Sequence, residues 1–195
     1  MHRTLRRVSR LSTIAAAGIA VIGSGAFVMS ASYSSFSSNT SNESNAWTSG
    51  SVKLVDDDSG SALFSVQNVK PGQTGSNCIT VTSTGSLNSQ VKLYGAVTDS
   101  GLAQYVTLQI EVGTGGGFGT CTGFTPGTPS NVFNAPLNTF AATSYANGLS
   151  GLWTTTGAAS ESKVYRVTYT LSSSTPDTAQ GKSVTASLTW EAQNN

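Results

Sequence analysis

Three adjacent carboxylates, Asp56, Asp57 and Asp58, form the most concentrated set of chemically active side chains in this sequence. Like charges this close repel one another, and a hard cation such as Ca²⁺, which prefers oxygen ligands, would relieve the repulsion. The alternating ligand spacing of an EF-hand is missing, however, and Ser59 and Gly60 follow the triplet, which favours a turn. We therefore predict a solvated turn, with a Ca²⁺ site as the alternative and no other cofactor.

The single histidine, His2, limits the catalytic chemistry. Zinc hydrolases and Ser-His-Asp or Cys-His nucleophiles need imidazole, and His2 lies in a segment that export would remove. Glu111 and Glu191 could serve as paired carboxylates for glycoside cleavage, but both take the outward phase of predicted strands, which is typical of surface residues. The glycine-rich run at 113–119 precedes neither Lys-Ser/Thr nor a predicted helix, so it is not a phosphate-binding loop. We predict no catalytic residue and no enzyme.

Residues 1–32 predict a secretory signal peptide. A basic region, an apolar stretch and a small-residue region follow in that order: Arg3, Arg6, Arg7 and Arg10, then Ile14 to Met29, then Ser30, Ala31 and Ser32. The apolar stretch is short for a membrane span, which needs about 20 residues. We expect a signal peptidase to cleave in the Ser30 to Ser32 region, leaving no stable membrane span and a mature chain that begins near Tyr33.

Cleavage changes the balance of charge. The chain has 10 Lys and Arg and 9 Asp and Glu, and four of the arginines lie in the leader. The mature chain is therefore mildly acidic, and it has no basic stripe. Nucleic-acid binding is excluded because it needs such a positive surface.

Residues 33–46 predict a flexible polar arm, because they are nearly all Ser, Asn and Thr. Tyr33 and Phe36 are its large apolar residues, and a segment with so little to bury does not order itself. Trp47 marks the start of a single domain at 47–195.

The sequence of that domain predicts an all-β fold. Apolar residues alternate with polar ones in runs such as 106–112, 164–171 and 184–190, with a further short strand expected from Ala62 to Val66. A Gly-, Thr- and Pro-rich connection is expected from Gly113 to Pro136, followed by a partly ordered excursion to about residue 152 with one short helix. We predict an antiparallel two-sheet, jelly-roll-like sandwich with a long loop-rich insertion at 113–152.

Cys78 and Cys121 are the two cysteines, and an even pair in an exported domain predicts a structural disulfide. The wide spacing does not match a redox C-x-x-C motif. Among the tryptophans, Trp190 has the inward phase of a core residue, whereas Trp47 and Trp153 could stack on a sugar.

Five short motifs occur along the chain from Ser30 onward. They are Ser30-Ala31-Ser32-Tyr33-Ser34-Ser35-Phe36-Ser37, Trp47-Thr48-Ser49-Gly50-Ser51-Val52-Lys53-Leu54, Val69-Lys70-Pro71-Gly72, Thr84-Gly85-Ser86-Leu87 and Leu188-Thr189-Trp190-Glu191-Ala192. With these motifs in this order, the chain resembles the TasA/camelysin family of exported bacterial proteins, which carry a SipW-type signal peptide.

The resemblance implies a secreted jelly-roll protein of the cell surface or the extracellular biofilm matrix. Some relatives form fibres when an N-terminal strand of one subunit inserts into the next. Here the arm, with Tyr33, Phe36 and Trp47 as its self-association residues, would be the donor, and a second copy would be the partner. Two alternatives remain open: a camelysin-like surface metalloprotease and an extracellular carbohydrate-binding module.

Overall fold

The computed structural model describes residues 37–41 and 52–194. In these residues the chain forms nine strands and three single-turn 3₁₀ helices. The strands are β1 (Ser37–Ser41), β2 (Leu54–Asp56), β3 (Thr74–Ser83), β4 (Asn88–Asp99), β5 (Val106–Thr114), β6 (Thr125–Pro136), β7 (Leu149–Thr156), β8 (Glu161–Leu171) and β9 (Val184–Gln193). The 3₁₀ helices are Ala103–Tyr105, Leu137–Thr139 and Asp177–Ala179.

The strands form two antiparallel sheets, which confirms the predicted all-β sandwich. One sheet has four strands in the order β1-β9-β4-β7, and the other has five in the order β2-β3-β8-β5-β6. Strand β5 follows the predicted alternation, because its inward positions are apolar and buried, whereas β9 follows it only from Leu188 onward, since Ala186 is exposed.

The core lies between the two sheets. Tyr165 of β8 and Trp190 of β9 are 0% and 1% exposed, and their rings pack with centroids 5.2 Å apart. Because a buried hydroxyl needs a partner, the Tyr165 hydroxyl donates a hydrogen bond to the carbonyl oxygen of Gly151 at 2.9 Å. Desolvation of this hydroxyl raises the pKa of Tyr165 above its ordinary value. The two sheets are thus joined by aromatic packing at their centre.

The predicted connection from Gly113 to Pro136 is wrong in its second half. Residues 125–136 form β6, which pairs with β5 from Thr107↔Pro136 to Thr114↔Thr125 with two register shifts. Proline is rare in central strands because it cannot donate a main-chain hydrogen bond to a neighbouring strand. Strand β6 is the outermost strand of its sheet, where an N–H group on the solvent side has no neighbouring strand, so proline is tolerated. The excursion after it also contains a strand, β7, and its short helix is the 3₁₀ turn at Leu137–Thr139.

The strand expected from Ala62 to Val66 is absent. Residues 62–69 instead form an irregular segment that no described strand pairs with. A strand requires a neighbouring strand for its main-chain hydrogen bonds, and none of the described strands provides one here. In the described part of the chain no helix is long and apolar enough to cross a membrane.

Candidate functional site

Asp57 joins the turn after β2 to two other parts of the chain. One carboxylate oxygen, Oδ1, accepts a hydrogen bond from the backbone N–H of Thr80 in β3 at 2.8 Å. The other, Oδ2, accepts one from the N–H of Phe118 at 2.8 Å, in the glycine-rich loop. Both oxygens therefore already have donors, and the role of Asp57 is to hold that loop against β3.

The disulfide predicted between Cys78 and Cys121 is confirmed. It links β3 to the loop before β6, with Cα atoms 5.2 Å apart and a sequence separation of 43 residues. Cys78 is fully buried. The bridge and Asp57 fasten the same loop, so the glycine-rich run is a structural connection attached at two points.

Asp58 is a buried carboxyl, 2% exposed, in the same turn. Its Oδ1 accepts a hydrogen bond from the Gly60 N–H at 2.6 Å. Burial, the largest cause, raises the pKa of Asp58 from 3.8 to about 6; the carboxyls of Asp56 and Asp57 raise it further, and the Gly60 hydrogen bond opposes them. The triplet is therefore not the uniformly solvated turn that the sequence predicts, because its third carboxyl lies inside the protein.

Replacement of Asp58 with asparagine is expected to remove the loss of stability that ionisation of this carboxyl causes as the pH rises. The folded-state pKa is raised above the unfolded value of 3.8, so the carboxyl stabilises the fold below that value and this contribution is lost as the pH rises through about 6. The asparagine side chain would keep an acceptor for the Gly60 N–H but carry no charge. The thermal unfolding midpoint of the wild type should fall relative to that of Asp58→Asn as the pH rises from about 4 to about 7.

Asp177→Asn is the matched control for this measurement, since Asp177 is an exposed carboxylate. Its pH profile should follow that of the wild type. An Asp58→Asn profile that falls as steeply as the wild type would show that Asp58 does not titrate as its burial implies.

The structure does not bring the candidate metal ligands together into a binding set. In the described residues, no group of three or more His, Cys, Asp or Glu side chains is arranged to hold a metal ion. Both carboxylate oxygens of Asp57 accept hydrogen bonds from backbone N–H groups. A cation at Asp57 would be repelled, because the positive ends of these N–H groups would point at it.

Glu111 and Glu191 lie on different sheets and have different partners. Glu111 of β5 forms a salt bridge with Arg166 of β8 at 2.5 Å. Glu191 of β9 accepts hydrogen bonds from the Tyr94 hydroxyl at 2.7 Å and the Gln193 side chain at 2.8 Å. Glu191 is only 9% exposed, so its predicted surface position is wrong. Each carboxylate is engaged in a structural contact of its own sheet.

The tryptophans within the described residues are core side chains. Trp153 is 6% exposed and Trp190 is 1% exposed, so neither presents an open ring face for stacking on a sugar. Trp47, Tyr33 and Phe36, together with Ser30, Ala31 and Ser32, lie outside the described residues.

The feature most relevant to function is the outer edge of β9. There β1, from the segment that the sequence assigns to the flexible arm, pairs antiparallel with the end of β9, from Ser37↔Gln193 to Ser41↔Thr189. The polar sequence of the arm gives no signal for this strand. Main-chain pairing does not require the apolar side chains from which strands are predicted. Residues 42–51, which join β1 to β2, lie outside the described part.

The pairing on the two sides of β9 is unequal in length. On its inner side β4 pairs along the whole strand, from Gln90↔Gln193 to Asp99↔Val184. On its outer side β1 covers only the last half. The candidate site is therefore a sheet edge that accepts a strand. Comparison with known proteins does not assign this edge or the chain to a family, because no protein-family model matches the sequence and no curated protein matches it either.

Proposed function

We propose that the protein is an exported structural protein of the cell surface or extracellular matrix that associates with itself by exchange of its N-terminal strand, as its TasA/camelysin resemblance implies. The observation that supports this proposal is the pairing of β1 with β9. A ladder of main-chain hydrogen bonds is the same whether the strand comes from the same copy or from another one. Strand addition to an open edge is a known mode of association, and a head-to-tail contact of this kind does not close on itself.

The composition of β1 favours exchange over permanent attachment. The strand reads Ser-Ser-Asn-Thr-Ser, with no apolar residue. Main-chain hydrogen bonds contribute a net free energy of only about 1 kcal/mol each, because water competes for the same groups. A strand without apolar anchors can therefore leave β9 at a modest cost and be replaced by an identical strand.

Two features support export. The leader has the three-part pattern of a signal peptide. The disulfide between Cys78 and Cys121 is typical of proteins in an oxidising compartment.

Deletion of residues 33–46 from the mature protein is expected to abolish concentration-dependent association. The remaining chain keeps both sheets but has no β1 to donate, and its β9 edge stays available. Analytical ultracentrifugation and electron microscopy of the two proteins should show oligomers or fibres for the mature chain and monomers for the deletion variant. A synthetic peptide of residues 33–46 should then bind the deletion variant.

A matched pair of variants tests whether main-chain pairing is responsible. Successive N–H groups in a strand alternate in direction, so prolines at both Ser38 and Asn39 remove at least one donor to β9. The double proline variant should lose association, and Ser38→Ala with Asn39→Ala should retain it. A mature protein that stays monomeric at all concentrations, or that associates equally well without the arm, would contradict the proposal.

A further inference from the structure

The sequence of β1 does not by itself fix the register of its pairing with β9. The strand reads Ser-Ser-Asn-Thr-Ser, so it has no apolar pattern that a slip along β9 would misplace. Strand β9 continues to Val184, beyond the last residue that β1 pairs with. A slip of two residues in that direction would keep all five main-chain pairs and leave every side chain on its own face. A side chain of β9 is therefore needed to distinguish the two registers.

Glu191 is the only ionisable residue of β9, and it pairs with the middle of β1. The register places it opposite Asn39. Residues directly opposite each other in an antiparallel pair share a face of the sheet, with Cβ atoms about 5 Å apart, so their side chains interact. A slip of two residues toward Val184 would place Ser37 opposite Glu191 instead. The two registers thus differ in which residue of β1 meets the carboxylate.

The described residues satisfy the carboxylate of Glu191 only in part. Its Oε2 accepts a hydrogen bond from the Tyr94 hydroxyl at 2.7 Å, and its Oε1 accepts one from Nε2 of Gln193 at 2.8 Å. Each carboxylate oxygen has two acceptor positions, so each has one that these contacts do not use. Because Glu191 is buried, a further donor to its carboxylate is worth more than it would be at an exposed site.

In the part of the chain that the structure describes, Glu191 forms no salt bridge. Lys92 of β4 is its partner on the other side of β9. The Lys92 Nζ instead donates to the carbonyl oxygen of Tyr145 at 3.3 Å and lies 4.7 Å from the centre of the Tyr145 ring. The salt bridge among the described residues joins Arg166 and Glu111. Glu191 therefore favours a donor at the position opposite it on β1 and disfavours a second negative charge there.

We propose that Glu191 sets the register of the strand that pairs with the outer edge of β9, by selecting a residue with a hydrogen-bond donor and no negative charge for the position opposite it. Asn39 is the best match in β1, because an asparagine amide carries two donors on a longer side chain than that of serine. Main-chain pairing holds the strand, and Glu191 chooses between its registers. This role is the same whether β1 comes from the same copy or from another one, so the inference does not rest on the proposed exchange.

Cysteine pairs in the purified mature protein measure the register. Ser41→Cys with Thr189→Cys reports the observed register, and Ser41→Cys with Ser187→Cys reports the slip of two residues. The two pairs are of the same type in the ladder, since Thr189 and Ser187 differ by two positions. After mild oxidation, mass spectrometry of tryptic peptides measures the yield of each cross-link. With Glu191 present, the first yield should exceed the second by at least about tenfold, as expected for one hydrogen bond to a charged group.

Removal of either side chain tests the selection. Glu191→Ala should make the two yields nearly equal, because the same number of main-chain pairs forms in either register. Asn39→Ala should have the same effect and leave the summed yield of the two cross-links unchanged, because alanine keeps the main-chain groups of β1. Circular dichroism and thermal unfolding of each variant check that the fold is retained.

A charge at residue 39 provides the sharper test. Asn39→Asp should reverse the ratio in favour of the slipped register, because like charges directly opposite each other are destabilising. Addition of Glu191→Gln to Asn39→Asp should restore the observed register, since the glutamine amide donates to the new carboxylate. This rescue separates the choice of register from a general loss of structure. Ser37→Asp is the matched control, because it adds the same charge to β1 opposite Gln193, and the observed register should stay preferred.

Three results would overturn the proposal. They are an unchanged ratio of yields in Glu191→Ala, a ratio in Asn39→Asp that Glu191→Gln does not restore, and the absence of both cross-links when Glu191 is present. The first cross-link in a mature chain that ultracentrifugation shows to be monomeric at all concentrations would contradict only the proposed exchange. In that case β1 pairs within its own copy, and Glu191 still sets its register.

Discussion

Replacing Cys78 and Cys121 together with alanine is expected to lower the free energy of unfolding by about 4 kcal/mol. The bridge spans 43 residues in sequence, and a cross-link over a loop of that length removes much of the conformational entropy of the unfolded chain. The native state loses little packing, since alanine fits within the space of the buried Cys78 side chain. Urea unfolding under non-reducing conditions measures the difference.

A reducing agent provides the control for this variant. Reduction of the wild type should lower its stability to nearly that of the double alanine variant, and the same agent should leave the variant unchanged. A loss below about 1 kcal/mol would contradict the expectation that the bridge stabilises the fold by restricting the unfolded chain.

Replacing Gly95 with alanine is expected to cost about 3 kcal/mol, because a side chain does not fit between β4 and β9. A Cβ atom at this position would lie 1.8 Å from the carbonyl oxygen of Ser187, which is backbone and cannot rotate away. The Gly95 N–H meanwhile donates to the carbonyl oxygen of Ala142 at 2.9 Å, so the glycine is also held on its other side. The variant must separate β4 from β9 at this point.

Gly127→Ala is the comparison for Gly95→Ala. Its Cβ would approach the carbonyl oxygens of Val112 and Pro129 at 3.3 and 3.4 Å, on the outer strand of the five-stranded sheet, where small shifts are easier. Its loss of stability in urea should be below about 1 kcal/mol. Similar losses for both variants would contradict the steric argument, because they would then reflect a general effect of adding a methyl group to a strand.

The alternation of apolar residues predicts the central strands well. Strand β5 and the second half of β9 have a buried apolar face, and that burial requires a period of two. The strand expected from the apolar residues of Ala62 to Val66 does not form, because no described strand lies beside this segment. The alternation also misses β1 and β6, because outer strands need main-chain pairing more than they need apolar side chains, and they tolerate proline.

The chemistry of individual side chains is less predictable from sequence than the strands are. The three aspartates are adjacent, yet Asp57 bridges two distant backbone N–H groups and Asp58 is buried. In the alternation along β9, Glu191 takes an outward-facing position, which is typical of a surface residue. The Tyr94 hydroxyl nevertheless donates a hydrogen bond to its carboxylate. These roles depend on residues that are distant in sequence, and no local pattern reports such contacts.

The prolines of β6 also affect which sheet edge could accept a further strand. Pro126, Pro129 and Pro136 lack N–H groups, so this edge of the five-stranded sheet offers an incomplete set of donors, and the strand at its other edge, β2, is only three residues long. Both edges of that sheet are therefore poor templates for a further chain. In the proposed self-association, strand addition would be directed to the four-stranded sheet rather than to this one.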